Sequence, residues 1–224
     1  LAPILIGIFG MLIERFLIRP LYGRSPDDPL LLTFGLGYVL VESVRITFGS
    51  DGIPFSAPPE LQGVVDLGFG YFPLYRLFVV GLVAVVLLVL WVALEKTRFG
   101  LIVRAGARDP LIMKVLGVDV SRLWLLVFGL GVGLTALGGV LAAPMRAVSP
   151  EMGTLVLAQA FVVTVIGGMG SLLGAVVAGL IVGVVVSMTA LFAPEMATIV
   201  MFALMALILL VRPQGLFGRQ GVGA

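Results

Sequence analysis

The chain contains no cysteine, no histidine and only two lysines, Lys96 and Lys114. Without thiols or imidazoles there can be no disulfide framework, no Cys/His zinc site and no general base or triad that depends on imidazole. No metal site and no cofactor are expected. Neither lysine follows a glycine-rich loop and no G-x-x-x-x-G-K-[ST] occurs, so the chain cannot hydrolyse ATP through a P-loop and is not expected to be an enzyme. Charge is scarce as well. Only 12% of the 224 residues are Asp, Glu, Lys or Arg, where soluble domains carry about 25%. A net charge of +2 spread over turns reads as a topology signal and gives no reason to expect nucleic acid as a partner.

What fills the sequence is apolar: 60% of residues are hydrophobic and the mean hydropathy is +1.21. Charge-free runs at 77–94, 123–145 and 152–194 reach or exceed the ~20 residues that cross a bilayer as helix. They lack the alternation of outer-membrane strands. The expected fold is therefore all-α, a polytopic integral membrane helix bundle with broken or re-entrant helices, its surroundings membrane lipid.

The first segment opens "LAPILIGIFGMLIE" and is expected to close at "ERFLIRPLYGRSPDDP", where charges and three prolines accumulate. Residues 1–13 are too short to span unaided, so part of a membrane helix is expected to be missing before Leu1. Glu14 and Arg15 read as interfacial anchors. A second segment covers about 30–48, with Glu42 and Arg45 near its far end and spaced to pair. Further segments are expected at 75–94, 123–143 and 196–211, and "GGMGS" at 167–171 divides the 152–194 tract. Whether that tract crosses twice or dips in as a hairpin is left open. If the 97–122 stretch is cytoplasmic, alternation places Arg15, Arg19, Arg24, Lys96, Arg98, Arg104, Arg108, Lys114, Arg122, Arg212 and Arg219 inside, and leaves Arg45, Arg76 and Arg146 outside. That asymmetry is a strong positive-inside signal. The acidic 49–72 loop then lies outside and the C-terminus is cytoplasmic.

Two constellations could carry function. In "RDPLIMKVLG" Asp109 can cap a helix, Pro110 suits its first position and Gly117 can end it, leaving about two turns. Ile112, Val115 and Leu116 share one face at i, i+3 and i+4, while Lys114 points elsewhere. Two turns are marginal alone, so a soluble partner that buries this face is expected; a solvated basic loop or a helix lying on headgroups is the alternative. Asp119 or Ser121 can cap the next segment. In "AFVVTVIGGMGSLLGAVVAGLIVG", Gly170, Gly174 and Ala178 repeat every four residues, as do Gly179 and Gly183, a pattern that lets helices approach closely. Gly167, Gly168 and Gly170 permit a backbone break and Ser171 can cap the next helix. The break is either tight bundle packing or a broken helix beside a translocation path, with Gln159 and Thr164 as nearby polar groups.

"TRFGLIVRAGARDPLIMKVLGVDVSRLWLLVFGLGVGLTALGGVLAAP", "QAFVVTVIGGMGSLLGAVVAGLIVG" and "RPQGLFG", in that order, together with "ERFLIRPLYGRSP", resemble the permease subunits of branched-chain amino-acid ABC importers, the Liv type. The resemblance implies a single ABC-permease transmembrane domain over 1–224 that lacks the family's N-terminal helices, in a bacterial inner membrane. It implies a second permease subunit, two cytoplasmic ABC ATPase subunits and a periplasmic substrate-binding protein as partners, and a small-molecule substrate: a branched-chain or other amino acid, urea or a short amide. By analogy the region from Arg104 through Arg108 and Asp109 to Gly117 would contact the ATPase. An ion-coupled secondary transporter is the competing class, but it normally needs a titratable or ion-coordinating group at mid-membrane, and the 152–194 tract offers none.

Overall fold

A computed structural model describes residues 1–22, 25, 27–66, 68 and 70–218. Arg24 and Arg219, both assigned to the inside by the charge count, lie outside the described residues. The chain divides into two compact units, Leu1–Pro150 and Glu151–Ala224.

In the first unit α1 (Ala2–Ile13) does not stop at the charges. It widens into a π turn over Glu14–Ile18 and ends in a 3-10 turn at Arg19–Leu21, within the stretch expected to close it. Pro20 sits at the start of that last turn, where its missing N–H costs no bond, and the Tyr22 N–H closes the turn on the Arg19 carbonyl. After it come α2 (Asp27–Phe48), a short antiparallel hairpin of β1 (Val64–Asp66) and β2 (Tyr71–Pro73), α3 (Leu74–Lys96), α4 (Arg98–Arg108), α5 (Pro110–Val115) and α6 (Val120–Ala142). The second unit consists of α7 (Met152–Gly167), α8 (Leu172–Phe192) and α9 (Ala197–Val211), the last preceded by a 3-10 turn at Pro194–Met196. Among the described residues, α2, α3, α6, α8 and the helix through Pro194–Val211 are long and apolar enough to cross a membrane. The protein is a polytopic helical membrane protein, as its composition requires.

Within the first unit α6 packs most extensively against α1, antiparallel to it. The cause is glycine on both helices. A Cβ on Gly7 would lie 3.1 Å from the carbonyl oxygen of Gly129, and one on Gly133 would lie 3.1 Å from that of Pro3. Small residues four apart let two backbones meet where lipid supplies no hydrophobic drive. Beside this seam lies a groove of about 350 Å³ lined by apolar residues such as Ile4, Ile8, Leu130 and Leu134. At the far end of α6 the Tyr75 hydroxyl donates to the Leu141 carbonyl at 2.9 Å, anchoring the start of α3. The loops at 49–72 and 144–150 are joined by a two-bond bridge: Ile53 N–H to Val148 O at 2.9 Å and Val148 N–H to Ile53 O at 3.0 Å.

Candidate functional site

The basic stretch between α3 and α6 forms two helices where one was expected. Thr97 caps α4 by accepting from the Gly100 N–H. The reversal from α3 is so tight that a Cβ on Gly100 would overlap the Leu94 carbonyl. Arg104 closes it further, donating to the Leu94 carbonyl at 2.6 Å and pairing with Glu95 at 2.8 Å. Arg104 therefore braces α4 against the end of α3, while Arg108 at the end of α4 and Lys114 on α5 are exposed. On its other side α4 rests on α6, where a Cβ on Gly106 would come within 2.9 Å of Leu123.

α5 is bounded by the chemistry its sequence announces. The Asp109 carboxylate accepts from the Leu111 and Ile112 N–H groups, both at 3.0 Å, which satisfies two donors that a helix start leaves open. Gly117 at φ +80° ends it. Its N–H reaches the Lys114 carbonyl and the Val118 N–H reaches that of Met113, each at 3.0 Å, the paired bonds of a Schellman motif. Asp119 then caps α6 through the Arg122 N–H at 3.1 Å. Ile112, Val115 and Leu116 fall on the outer side, 55%, 81% and 71% exposed, with Leu111 beside them at 73%. The buried residue is Met113, which the i, i+3, i+4 face does not include.

In the second unit the break is at Gly168 and Gly170, with φ of +93° and +85°, and Ser171 caps α8 through the Gly174 N–H at 3.0 Å. α7 and α8 meet backbone to backbone at Gly167 and Gly174: a Cβ on Gly167 would lie 2.6 Å from the Gly174 carbonyl. The buried stripe of α8 continues through Ala178 to Val182, against Val162 and Ile166 of α7 and Met201 of α9. This corrects the small-residue pattern. Gly183 faces open space, Gly179 makes only ordinary contact with Val163, and Gly170 has open space around it; its role is its backbone angle. Gln159 lies part-buried on α7, three and seven residues before Val162 and Ile166 and so on their face. Thr164 is exposed and spends its hydroxyl on the Ala160 carbonyl.

Sequence reasoning missed two further features. The segment "RPQGLFG" folds onto the end of α7: Leu216 N–H donates to the Ile166 carbonyl at 2.8 Å and Phe217 N–H to that of Gly167 at 3.1 Å. Because this segment follows α9, the α7–α8 turn and the end of α9 meet at the same end of this unit.

The second is Glu14, the buried charged residue of the described chain, with no exposed surface. Its carboxylate takes the Arg19 guanidinium at 3.4 Å and the Tyr22 hydroxyl at 3.2 Å. Glu14 is therefore an internal ion-pair partner, correcting the anchor expected from its neighbours. Five residues lie about 140° apart round a regular α-helix, so the i, i+5 spacing gave no signal; the wider π turn brings Arg19 round. Partial burial, then the negative charge of Glu14 and the bond to it, push the Tyr22 phenol above its ordinary value, with Arg19 pulling the other way.

The family described as "Branched-chain amino acid transport system / permease component" matches residues 1–209. The high-affinity branched-chain amino acid transport system permease protein LivH of Escherichia coli (strain K12) is 30% identical over 230 residues, covering 99% of this chain and 73% of its own. The corresponding protein BraD of Pseudomonas aeruginosa is 32% identical, covering 98% and 73%. The fructose import permease protein FrcC of Rhizobium meliloti is 31% identical over 174 residues, 73% of this chain and 48% of its own. No solved structure matches. With its family-wide match, its membrane-length helices and its capped, basic insert, the chain belongs to the permease components of branched-chain amino acid transport systems.

Proposed function

We propose that this chain is a membrane-spanning permease subunit of an ATP-driven importer that carries branched-chain amino acids across a bacterial inner membrane. It acts as one permease domain, its C-terminus in the cytoplasm, with a second permease subunit, cytoplasmic ABC ATPases and a periplasmic substrate-binding protein. Support for the solute comes from the names of LivH and BraD, both of which this chain matches over nearly its whole length.

One observation carries the coupling role: α5 is a six-residue helix stopped at both ends by its own side chain and glycine chemistry, yet its apolar face is left to solvent. A helix this short is not stable for its own sake, and four neighbouring apolar side chains beside Arg108 and Lys114 suit a protein partner. The ATPase grips Ile112, Val115 and Leu116; the rigid turns at Asp109 and Gly117 pass its movement to α4 and α6. The opposite, external face offers the bridged loops around Ile53 and Val148 to the binding protein. Gly167, Gly168, Gly170, Ser171 and Gly174 keep the α7–α8 hairpin rigid at the inner end of the path, with Gln159 as its polar group.

The experiment is uptake of radiolabelled leucine with the ATPases co-expressed. Val115→Asp or Leu116→Asp puts an unpaired charge into the interface, a penalty of about 3 kcal/mol or more. Membrane insertion is then expected to persist while uptake falls at least about 100-fold and the ATPase no longer co-purifies. Normal uptake with normal co-purification overturns the coupling role. Uptake abolished by collapsing ion gradients with ATP retained overturns the ATP-driven class.

A further inference from the structure

The coupling stub has a second mechanical exit. Arg19 holds the buried Glu14 carboxylate with one side of its fork, and its Nη2 also donates to the Ser121 carbonyl at 2.8 Å. Ser121 lies in the first turn of α6, four residues beyond Gly117 and two beyond the Asp119 cap. The end of α1 is thereby tied to the point where the stub re-enters the bundle. Further along, the same two helices touch backbone to backbone at Gly7, Gly129 and Gly133. α3, by contrast, is fixed to α6 through Tyr75 at the far end.

We propose that Arg19, oriented by Glu14 and Tyr22, is a positioning residue that makes α1 move with α6 as one body when the stub is displaced. The proposal rests on the importer reading and names the route by which force leaves the stub. Its chemistry explains otherwise unaccounted features. A carboxylate without solvent contact is costly unless paired and hydrogen-bonded, and it is retained here with two donors. A π turn is a rarely used helix geometry, common at functional positions, and here it is what places Arg19 against both acceptors at once. A planar guanidinium can serve a carboxylate and a carbonyl together, which an ammonium on a flexible stem does poorly. Tyr22 supplies the second donor, its hydroxyl completing the carboxylate's shell at 3.2 Å.

No cysteine occurs in this sequence, so introduced thiols can be labelled at chosen sites. Spin labels at Phe16→Cys and Leu126→Cys, both exposed sites on the two helices, report their separation in the complex with its ATPases, nucleotide-free and nucleotide-bound. Expected with Arg19 intact is the same separation in both states. In Arg19→Ala the two separations should diverge and leucine carried per ATP hydrolysed should fall about tenfold, the scale of one lost charge-assisted hydrogen bond, while ATPase association is unchanged. Arg19→Lys should restore coupling in part. A separation that shifts with nucleotide in the unaltered chain overturns this proposal alone, as does an unchanged coupling ratio in Arg19→Ala. If single variants fail to fold because Glu14 is left buried without its partner, the double variant Glu14→Gln with Arg19→Met removes both charges; normal coupling there overturns the proposal. Leucine uptake by the unaltered chain that ignores ATP overturns the importer reading and this proposal together.

Discussion

Replacing Gly174 by alanine tests the packing of the α7–α8 hairpin against its rivals. The new methyl would overlap the Gly167 carbonyl oxygen and lie 2.9 Å from the carbonyl carbon, short of ordinary contact at 3.4 Å. That obstacle is backbone, which no rotamer change can clear, so α7 and α8 must separate along the layer containing Val162, Ile166, Ala178 and Val182. Overpacking of this kind costs about 1–3 kcal/mol. Gly170→Ala meets open space but keeps a φ of +85°, a strain of about 1–2 kcal/mol. Gly183→Ala meets neither and gains up to about 1 kcal/mol of helix propensity. The assay is the temperature at which detergent-solubilised protein loses its monodisperse elution peak; each kcal/mol moves it by roughly 2–4 °C in a chain of this size. Expected are losses for Gly174→Ala and Gly170→Ala and none for Gly183→Ala. If Gly174→Ala melts with the unaltered chain while Gly183→Ala melts lower, the contact surface of α8 is the opposite one and the reasoning fails.

Asp109→Ala should cost about 1 kcal/mol of cap energy, read as roughly fivefold faster amide exchange at Leu111 and Ile112; unchanged exchange there would show that the carboxylate does not hold those donors. For Tyr22 the folded phenol is raised, so its stabilisation is complete below the ordinary value of about 10 and is lost as pH climbs through the raised one. The phenolate absorbance difference between the unaltered chain and Tyr22→Phe should titrate above the ordinary value, and a midpoint below it would contradict the pairing with Glu14.

Local chemistry was legible in the sequence and distant chemistry was not. Asp109, Gly117, Asp119 and Ser171 each do what their residue types do within four positions, and all are found capping or ending a helix. Membrane-length segments were legible for the same reason, since apolar run length is a property of one stretch. The Glu14–Arg19–Ser121 contact depends on a helical widening without a residue signature and on a partner about a hundred positions away. The α1–α6 seam left a trace in the four-residue spacing of Gly129 and Gly133, but spacing does not name the facing helix. Gly179 and Gly183 have the same spacing and face elsewhere, because a small-residue repeat marks an available surface and the fold decides which one is used. α4 was overlooked because its arginines resemble a loop until Thr97 and Arg104 fold it back on α3.

The bonds from Leu216 and Phe217 to the end of α7 also govern the order in which the protein can be made. When the ribosome has delivered the glycine turn, the carbonyls of Ile166 and Gly167 have no tail to meet, and they must remain wet. Only after α9 has been threaded into the lipid and the residues behind it have emerged can those two oxygens be sealed. The last two bonds of the hairpin are thus timed by translation itself, because they form only once the chain has been made as far as Leu216 and Phe217.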